Sequence, residues 1–273
     1  MEIFKQILKS HPAAVMGILN VTPDSFSDGG KFLALPDALK QAEEMAAQGA
    51  SLLDIGGEST RPGAAEVSSE EELSRVIPVV ERLAGKIELP LSVDTCKPEV
   101  AQAALKAGAS ILNDITGLTD PAMLETAARY RAGVVIMHMQ GQPRTMQENP
   151  QYDDVVAEVK DFLQKQARAA EQAGITDIAL DPGIGFGKTL EHNLQLLNRL
   201  SEFKSLGYPL LIGVSRKAFI GWLTGKPVSR RLPGVLAAVC LAFYQGADIF
   251  RVHDVEPAVD ALKVALAVKR GKA

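Results

Sequence analysis

Polar and charged side chains stand at the carboxyl ends of a series of short apolar segments that recur along the chain. Each segment is typical of a buried strand. A single polar strand end has little meaning, because most polar loops are simply solvated. A polar residue at the end of every strand predicts instead that these side chains converge on one site. They are Asn20, Asp54, Glu58, Thr60, Asp94, Asn113, His138, Asp181, Ser215, Lys217, Arg251 and His253.

Three of these residues are suited to a flat nitrogen heterocycle. Asp94, Asn113 and Asp181 are carboxylate and amide groups that could accept hydrogen bonds from such a ring and donate them to it, and a carboxylate can accept two in parallel. Each has a simpler alternative: Asp94 as a helix cap, Asn113 as part of an Asn-Asp turn, and Asp181 as the turn former of Asp-Pro-Gly. The glycines of 183–187 lack the spacing of a Walker-type phosphate loop. They favour a backbone that lies against a flat ligand, with Phe186 alongside.

A second group is suited to an anion. Arg251 and His253 alternate on one strand and therefore face the same side. With Asn20 on the first strand, they could hold a phosphate or a diphosphate, for which the planar fork of arginine is well shaped. Lys217 follows the seventh strand, where barrels often bind phosphate. The alternatives are a structural role for His253, a solvated lysine at a helix start for Lys217, and a structural role for His138, which we favour.

The elements that must position these residues alternate between strand and helix along the whole chain, after a short lead-in over residues 1–13. Eight apolar strands with intervening helical segments, and no linker, favour a closed (β/α)8 TIM barrel in one domain spanning 1–273. An open doubly wound sheet is the alternative, but no Gly-x-Gly-x-x-Gly follows the first strand. The predicted strands are 14–21, 51–57, 89–95, 110–115, 133–139, 177–181, 209–214 and 248–252.

Composition excludes several classes of partner. The chain has 273 residues and a net charge of −4, so no broad basic face is expected to bind nucleic acid or anionic lipid. No apolar run approaches the ~20 residues of a membrane span. Cys96 and Cys240 lie far apart without metal-type spacing, which fits ordinary thiols in a reducing compartment. With no signal-peptide pattern at the N-terminus, a cytoplasmic location is expected.

Seven stretches of the chain match one family of enzymes. They are 18–30, 56–63, 92–95, 113–117, 181–187, 215–217 and 251–254, and the first two together are highly specific. On these stretches the chain resembles the dihydropteroate synthases, enzymes of the folate pathway, along essentially its whole length. The resemblance implies a (β/α)8 barrel, usually a homodimer. It also implies condensation of 6-hydroxymethyl-7,8-dihydropterin diphosphate with 4-aminobenzoate, with release of pyrophosphate.

The resemblance further implies a role for each residue. Asp94, Lys217 and Arg251 would act in catalysis. The pterin would be bound by Asp94, Asn113, Met137, Asp181, Phe186, Gly213, Lys217 and Arg251, and the diphosphate by Asn20, Arg251 and His253. Asn20 would also hold Mg²⁺. Ser215 and the loop of Thr60, Arg61 and Pro62 would lie at the aminobenzoate. Ala218 stands where many relatives carry serine, which leaves the aminobenzoate carboxylate to backbone N–H groups at a helix start.

The chemistry of such a reaction agrees with these residue types. A departing diphosphate carries developing negative charge, so cations and Mg²⁺ belong beside it. The electron-rich dihydropterin can support positive charge on its exocyclic carbon, which suggests an SN1-like path with Asp94 steadying the cation. Loop closure would exclude water. The alternatives are a barrel that transfers a methyl group from a reduced folate to a corrinoid, and a non-catalytic pterin-binding relative.

Overall fold

Eight parallel strands close into a barrel in the computed structural model, which describes residues 2–22, 30–59 and 66–272. The strands are hydrogen-bonded in the order β6-β5-β4-β3-β2-β1-β8-β7, and a parallel bridge between Leu180 and Leu210 joins the two ends. The strands are β1 (Ala14–Asn20), β2 (Leu52–Gly56), β3 (Leu91–Asp94), β4 (Ile111–Asp114), β5 (Gly133–Met137), β6 (Ile178–Asp181), β7 (Leu211–Gly213) and β8 (Ile249–Val252). The predicted (β/α)8 barrel is confirmed, and each strand lies within its predicted range.

One helix, α1, precedes the first strand, and the other helices follow the strands around the outside of the barrel. They are α1 (Ile3–Ser10), α2 (Gly30–Ala47), α3 (Ser69–Ala84), α4 (Pro98–Ala107), α5 (Pro121–Tyr130), α6 (Val155–Gln172), α7 (Leu190–Asn198), α8 (Ala218–Thr224), α9 (Leu232–Tyr244) and α10 (Val255–Arg270), with 3₁₀ turns at Leu200–Leu206 and Val228–Arg230. Their apolar faces and the outward side chains of the strands form the larger core. Within the described ranges, no helix combines the length and apolarity that crossing a membrane would need.

The inside of the barrel holds a second, smaller core, made of one ring of apolar side chains. Alternate residues of a strand point to the same face, and seven of the eight strands contribute inward apolar residues to this ring, all but β3. We call this set the apolar ring: Ala14, Met16, Leu52, Ile111, Val135, Ala179, Leu211 and Ile249, all buried.

The N-terminal helix closes the barrel beneath the apolar ring. Residues 1–13, predicted only as a lead-in, include α1, whose Ile3, Phe4 and Ile7 are buried against that ring. The carboxylate of Asp177, just before β6, accepts hydrogen bonds from the backbone N–H of Ile3 at 2.6 Å and of Phe4 at 3.3 Å. The amino ends of the strands are therefore sealed, and the opposite end remains for a site.

Candidate active site

Six positions of the site lie one step above the apolar ring on the same strands. Each is two residues beyond a ring member, so both members of a pair face inward and the two levels lie about 6–7 Å apart. The pairs are Leu52 with Asp54, Ile111 with Asn113, Val135 with Met137, Ala179 with Asp181, Leu211 with Gly213, and Ile249 with Arg251. On β3, Asp94 lies two residues beyond Ser92. The site residues are thus spread from position 54 to position 251 along the chain but share one end of the barrel.

A cavity opens at this level. It is lined by Asp94, Asn113, Ile115, Met137, Asp181, Phe186, Gly213, Lys217 and Arg251. Eight of these nine residues are those predicted for the pterin, and Ile115 is the addition. The free volume is about 20 Å³, roughly one water molecule. A bicyclic ring therefore requires the long side chains of Lys217 and Arg251 to move aside.

Arg251 bridges two buried carboxylates. Its Nε lies 2.6 Å from Asp54 Oδ2 and its Nη2 lies 2.7 Å from Asp94 Oδ2. Burial works against the charge of the guanidinium, but the carboxylates of Asp54 and Asp94 raise the pKa of Arg251 above its usual range. Burial raises the pKa of the Asp94 carboxyl to about 7, although Arg251 opposes that shift. The pair is held together in a dry environment, where an ion pair is much stronger than in water.

Asp54 is a site residue to which the sequence assigned no role. Its side chain is fully buried and accepts hydrogen bonds from Ser92 Oγ at 2.6 Å and from Asn113 Nδ2 at 2.9 Å, besides the ion pair with Arg251. Residues of β2, β3, β4 and β8 meet at this one carboxylate. Asp54 is two residues beyond Leu52, a member of the apolar ring, so it faces the inside of the barrel. This spacing is the signal in the sequence that could have identified it.

Lys217 lies across the other side of the cavity. Its Nζ donates to the backbone carbonyl of Ile184 and lies 4.6 Å from the centroid of the Phe186 ring. Burial lowers the pKa of Lys217 to about 8, with the carboxylate of Asp181 acting in the opposite direction. The preceding residue, Arg216, has a φ of 59° in the left-handed region, which is strained for a residue with a side chain.

The turn after β6 lies beside Lys217 at the mouth of the barrel. Gly183 has a φ of 70°, and a Cβ there would lie 1.9 Å from the carbonyl oxygen of His138, so only glycine fits. Asp181 Oδ1 accepts from the N–H of Gly183 at 2.8 Å, so Asp181 shapes the turn and lines the cavity at once. Lys188, which sequence reasoning missed, is fully buried and donates to the carbonyl of Phe186 at 2.9 Å.

The structure decides between the site role and the simpler alternative for two residues, Asp94 and Asn113. The helix-cap alternative for Asp94 is wrong, because α4 begins after Lys97, which has no side-chain cap, and Thr95 accepts from the Lys97 N–H at 3.2 Å. The turn chemistry of the Asn113–Asp114 pair belongs to Asp114, which accepts from the backbone N–H of Thr116 at 2.8 Å. Asn113 is left to face inward.

The residues predicted for the diphosphate and the aminobenzoate lie around the rim. Asn20 ends β1, and a Cβ on Gly56 would lie 3.7 Å from both Asn20 Oδ1 and Asp94 Cβ, so Asn20 is close to the cavity. His253 lies just beyond β8, where its Nδ1 is 2.9 Å from Ser215 Oγ. Neither His253 nor Ser215 lines the cavity. The predictions for Thr60, Arg61 and Pro62 fall outside the described residues.

An ion pair holds Glu58, which lies just before the loop of Thr60, Arg61 and Pro62. Lys97 Nζ lies 2.5 Å from carboxylate oxygens of both Glu58 and Glu72, and Glu58 also accepts from the N–H of Val67 at 3.1 Å. In the described ranges, no group of three or more acidic, histidine or cysteine side chains could hold a metal ion.

Together, the closed barrel and its polar mouth define the class of protein: a barrel enzyme that binds a small, flat, hydrogen-bonding molecule at the carboxyl ends of its strands.

The family model for pterin binding enzymes matches residues 16–253. The dihydropteroate synthase of Escherichia coli K12 is 56% identical over 265 residues, covering 96% of this chain and 94% of that one. That of Haemophilus influenzae is 51% identical and covers 92% of each chain.

Solved structures agree with the sequence relatives. The dihydropteroate synthase of Yersinia pestis, solved with a sulfonamide drug complex, has a TM-score of 0.90 and 50% identity over 94% of both chains. That of Xanthomonas albilineans, in complex with 7,8-dihydropteroate, has a TM-score of 0.86 and 50% identity over 94% of both chains. The chain therefore belongs to the pterin-binding enzymes and, within them, to the dihydropteroate synthase family of transferases.

Proposed function

We propose that this chain condenses 6-hydroxymethyl-7,8-dihydropterin diphosphate with 4-aminobenzoate to give 7,8-dihydropteroate and pyrophosphate. The observation that carries the proposal is the cavity, whose lining contains all eight residues predicted for the pterin. The related structures extend it to the second substrate, since the Xanthomonas albilineans enzyme was also solved with 4-aminobenzoic acid.

The proposed pterin site combines several hydrogen-bond acceptors with one charged donor. The oxygens of Asp94, Asn113 and Asp181 would accept hydrogen bonds from ring and amino N–H groups. The ammonium group of Lys217 would donate a hydrogen bond to a ring carbonyl. Burial raises the pKa of the Asp181 carboxyl against the opposing effect of Lys217. A ligand that donates to the acids and accepts from the lysine would satisfy groups that are costly to leave buried and unpaired.

The proposed reaction breaks the C–O bond to the diphosphate before the C–N bond is complete. Positive charge develops on the exocyclic carbon, where the carboxylate of Asp94 would stabilise it, and negative charge develops on the leaving group. Arg251 would turn from Asp94 towards that leaving group as the ring enters. The aromatic amine of 4-aminobenzoate then forms the C–N bond and releases its proton to solvent, so no strong general base is needed.

Mg²⁺ is part of the proposal as a companion of the diphosphate. Magnesium prefers hard oxygen ligands and is commonly held by one or two protein groups together with substrate phosphates. The amide oxygen of Asn20, near the cavity, fits that requirement. When bound, the ion would neutralise charge on the phosphate oxygens. Arg251 and His253, on and just beyond the adjacent strand β8, would orient the diphosphate.

The aminobenzoate is proposed to bind at the rim, beside Ser215 and the loop that contains Thr60, Arg61 and Pro62. Ser215 Oγ accepts from the backbone N–H of His253 at 3.2 Å, so the aminobenzoate side and the diphosphate side would share a border. Ala218 begins α8 and supplies no hydroxyl. The carboxylate would then be bound by backbone N–H groups.

One assay tests the function. The purified protein with Mg²⁺, the pterin diphosphate and 4-aminobenzoate should release pyrophosphate and 7,8-dihydropteroate in equal amounts, and omission of 4-aminobenzoate should abolish the pteroate. Methyl transfer from a reduced folate to a corrinoid, without condensation, would replace the proposal with the methyltransferase alternative. Pterin binding without either reaction would identify a non-catalytic relative.

A homodimer is proposed for the assembled enzyme. The neighbouring helices α9 and α10 expose large apolar side chains, with Leu241, Val264 and Val268 each 65–68% exposed and Tyr244 49% exposed. Exposed apolar patches of this kind mark protein interfaces. Light scattering should give twice the chain mass of 29.2 kDa. The double variant Leu241→Glu with Val264→Glu should give the mass of one chain.

The two cysteines, Cys96 and Cys240, are free thiols. The cytoplasmic location stays a prediction.

A further inference from the structure

We propose that Asp54 is a positioning residue that turns the amide of Asn113 so that its oxygen faces the pterin and that anchors Arg251 while its guanidinium changes partners. The inference rests on the proposed pterin site and adds to it how that site selects its ligand. Asp54 itself does not line the cavity and is fully buried, so it would act only through the residues it holds.

The chemistry of its partners settles which way the amide faces. Arg251 Nε, at 2.6 Å from Asp54 Oδ2, can only donate a hydrogen bond. Asp54 Oδ2 is therefore a hydrogen-bond acceptor, and the Asn113 atom at 2.9 Å from the same oxygen is the amide nitrogen Nδ2. Side-chain amides are otherwise hard to orient. Here the neighbouring charge leaves one orientation.

The consequence is a wall of acceptors. With Nδ2 donating to Asp54, Asn113 Oδ1 is the atom left for the cavity that Asn113 lines. It joins the carboxylates of Asp94 and Asp181, so the cavity favours a ligand with several N–H donors. An amide turned the other way would present a donor there and favour a ligand with a ring nitrogen acceptor. Asp54 would therefore decide ligand selection without touching the ligand.

The same oxygen also anchors Arg251. The guanidinium bonds through Nε to Asp54 and through Nη2 to Asp94 at 2.7 Å. A ring that enters between Asp94 and Arg251 would break the Nη2 contact, whereas the Nε contact lies behind the cavity. Asp54 would keep Arg251 at the mouth during this change and limit the orientations available to its free nitrogen atoms.

The first test is Asp54→Asn, which keeps the size of the side chain and removes its charge. The KM and the Kd for the pterin diphosphate should rise about tenfold to a hundredfold, the range for a lost hydrogen bond to a charged group. The KM for 4-aminobenzoate at saturating pterin should stay within about twofold, whereas a general loss of structure would affect both substrates. Equal pterin affinity in a folded Asp54→Asn variant would overturn the inference.

A matched control uses the third partner of the same carboxylate. Ser92→Ala removes the hydroxyl that donates to Asp54 Oδ1 at 2.6 Å but leaves the bonds to Asn113 and Arg251. It should lower the melting temperature and change the pterin KM by no more than about threefold. A pterin defect as large as that of Asp54→Asn would show that Asp54 is a structural hub rather than a positioning residue.

A double-mutant cycle tests whether Asp54 acts through Asn113. In an Asn113→Ala background, Asp54→Asn should weaken pterin binding by only about threefold, because the amide that it orients is gone. Independent, multiplying effects would contradict the route through Asn113. If Asp54→Asn does not fold, neutron diffraction of the wild-type protein with the pterin diphosphate in heavy water decides the orientation. Deuterons on the Asn113 atom facing Asp54 are expected, and deuterons facing the ligand would overturn the inference.

Failure of the inference and failure of the proposed function give different results. If the wild-type protein does not bind the pterin diphosphate, the proposed function and the proposed role of Asp54 are both wrong. If the wild-type protein binds and converts it, and Asp54→Asn behaves like the wild type, the proposed function is retained and the role of Asp54 is wrong.

Discussion

The two levels of the barrel interior sit on the same strands, yet they differ completely in chemistry. The lower level, the apolar ring, is dry and closed from below by α1. The upper level, one step of two residues higher, carries Asp54, Asn113, Asp181 and Arg251. Strand geometry is the same at both levels, so residue identity alone makes one level a core and the other a site. The lower level should control stability and the upper level activity.

Phe4→Ala should give the largest effect and should fall on stability alone. Phe4 is 1% exposed and packs beneath the apolar ring. Loss of a buried phenylalanine typically costs about 3–5 kcal/mol. Urea unfolding should show this loss in the free energy of unfolding, while kcat/KM below the unfolding transition stays within about twofold of wild type. A large loss of kcat/KM in the folded variant would break the division between the two levels.

Asp94→Asn and Arg251→Ala should have the opposite signature. Each removes a charge that acts on the transition state, so kcat should fall about a hundredfold, as it does when comparable electrostatic groups are lost. Asp94→Asn keeps the shape of the side chain and should remain folded. Circular dichroism provides the control for folding. Near-normal turnover in either variant would remove that residue from the proposed chemistry.

The pH dependence of kcat/KM should be set by titratable groups at the mouth of the barrel, Asp94 and Lys217. The pKa of Asp94 is raised to about 7, so its negative charge is lost as pH falls through 7. The pKa of Lys217 is lowered to about 8, so its positive charge is lost as pH rises through 8. The profile of kcat/KM should therefore be bell-shaped, with a decline of about tenfold per pH unit beyond each limb.

Lys217→Arg sharpens this prediction. Arginine stays charged throughout the accessible range, so the alkaline limb should disappear even if the maximal rate is lower. The acid limb, assigned to Asp94, should stay near pH 7. An unchanged alkaline limb in Lys217→Arg would assign that limb to another group, such as the substrate.

Much of the site could be predicted from the sequence because it follows from strand periodicity. Asp94, Asn113 and Asp181 each end an apolar strand, and in parallel strands those ends share one edge. Eight predicted pterin residues accordingly line one cavity. Asp54 could not be understood in this way. It follows the same periodicity, but its role depends on which side chains it meets across three other strands.

The sequence by itself determined the order of strands and helices, the inward positions of each strand, and the kinds of side chain gathered at the mouth. These are local properties, set by alternation along each strand and by turn chemistry between strands. Only the tertiary structure decided which groups touch. Asp54 and Arg251 are 197 residues apart, and their ion pair exists because barrel closure brings β8 beside β1 and places both side chains inward. The sealing of the barrel floor by α1 has the same origin, since its partner Asp177 lies 174 residues away. Contacts between distant residues depend on the register and closure of the whole sheet, which no single segment encodes.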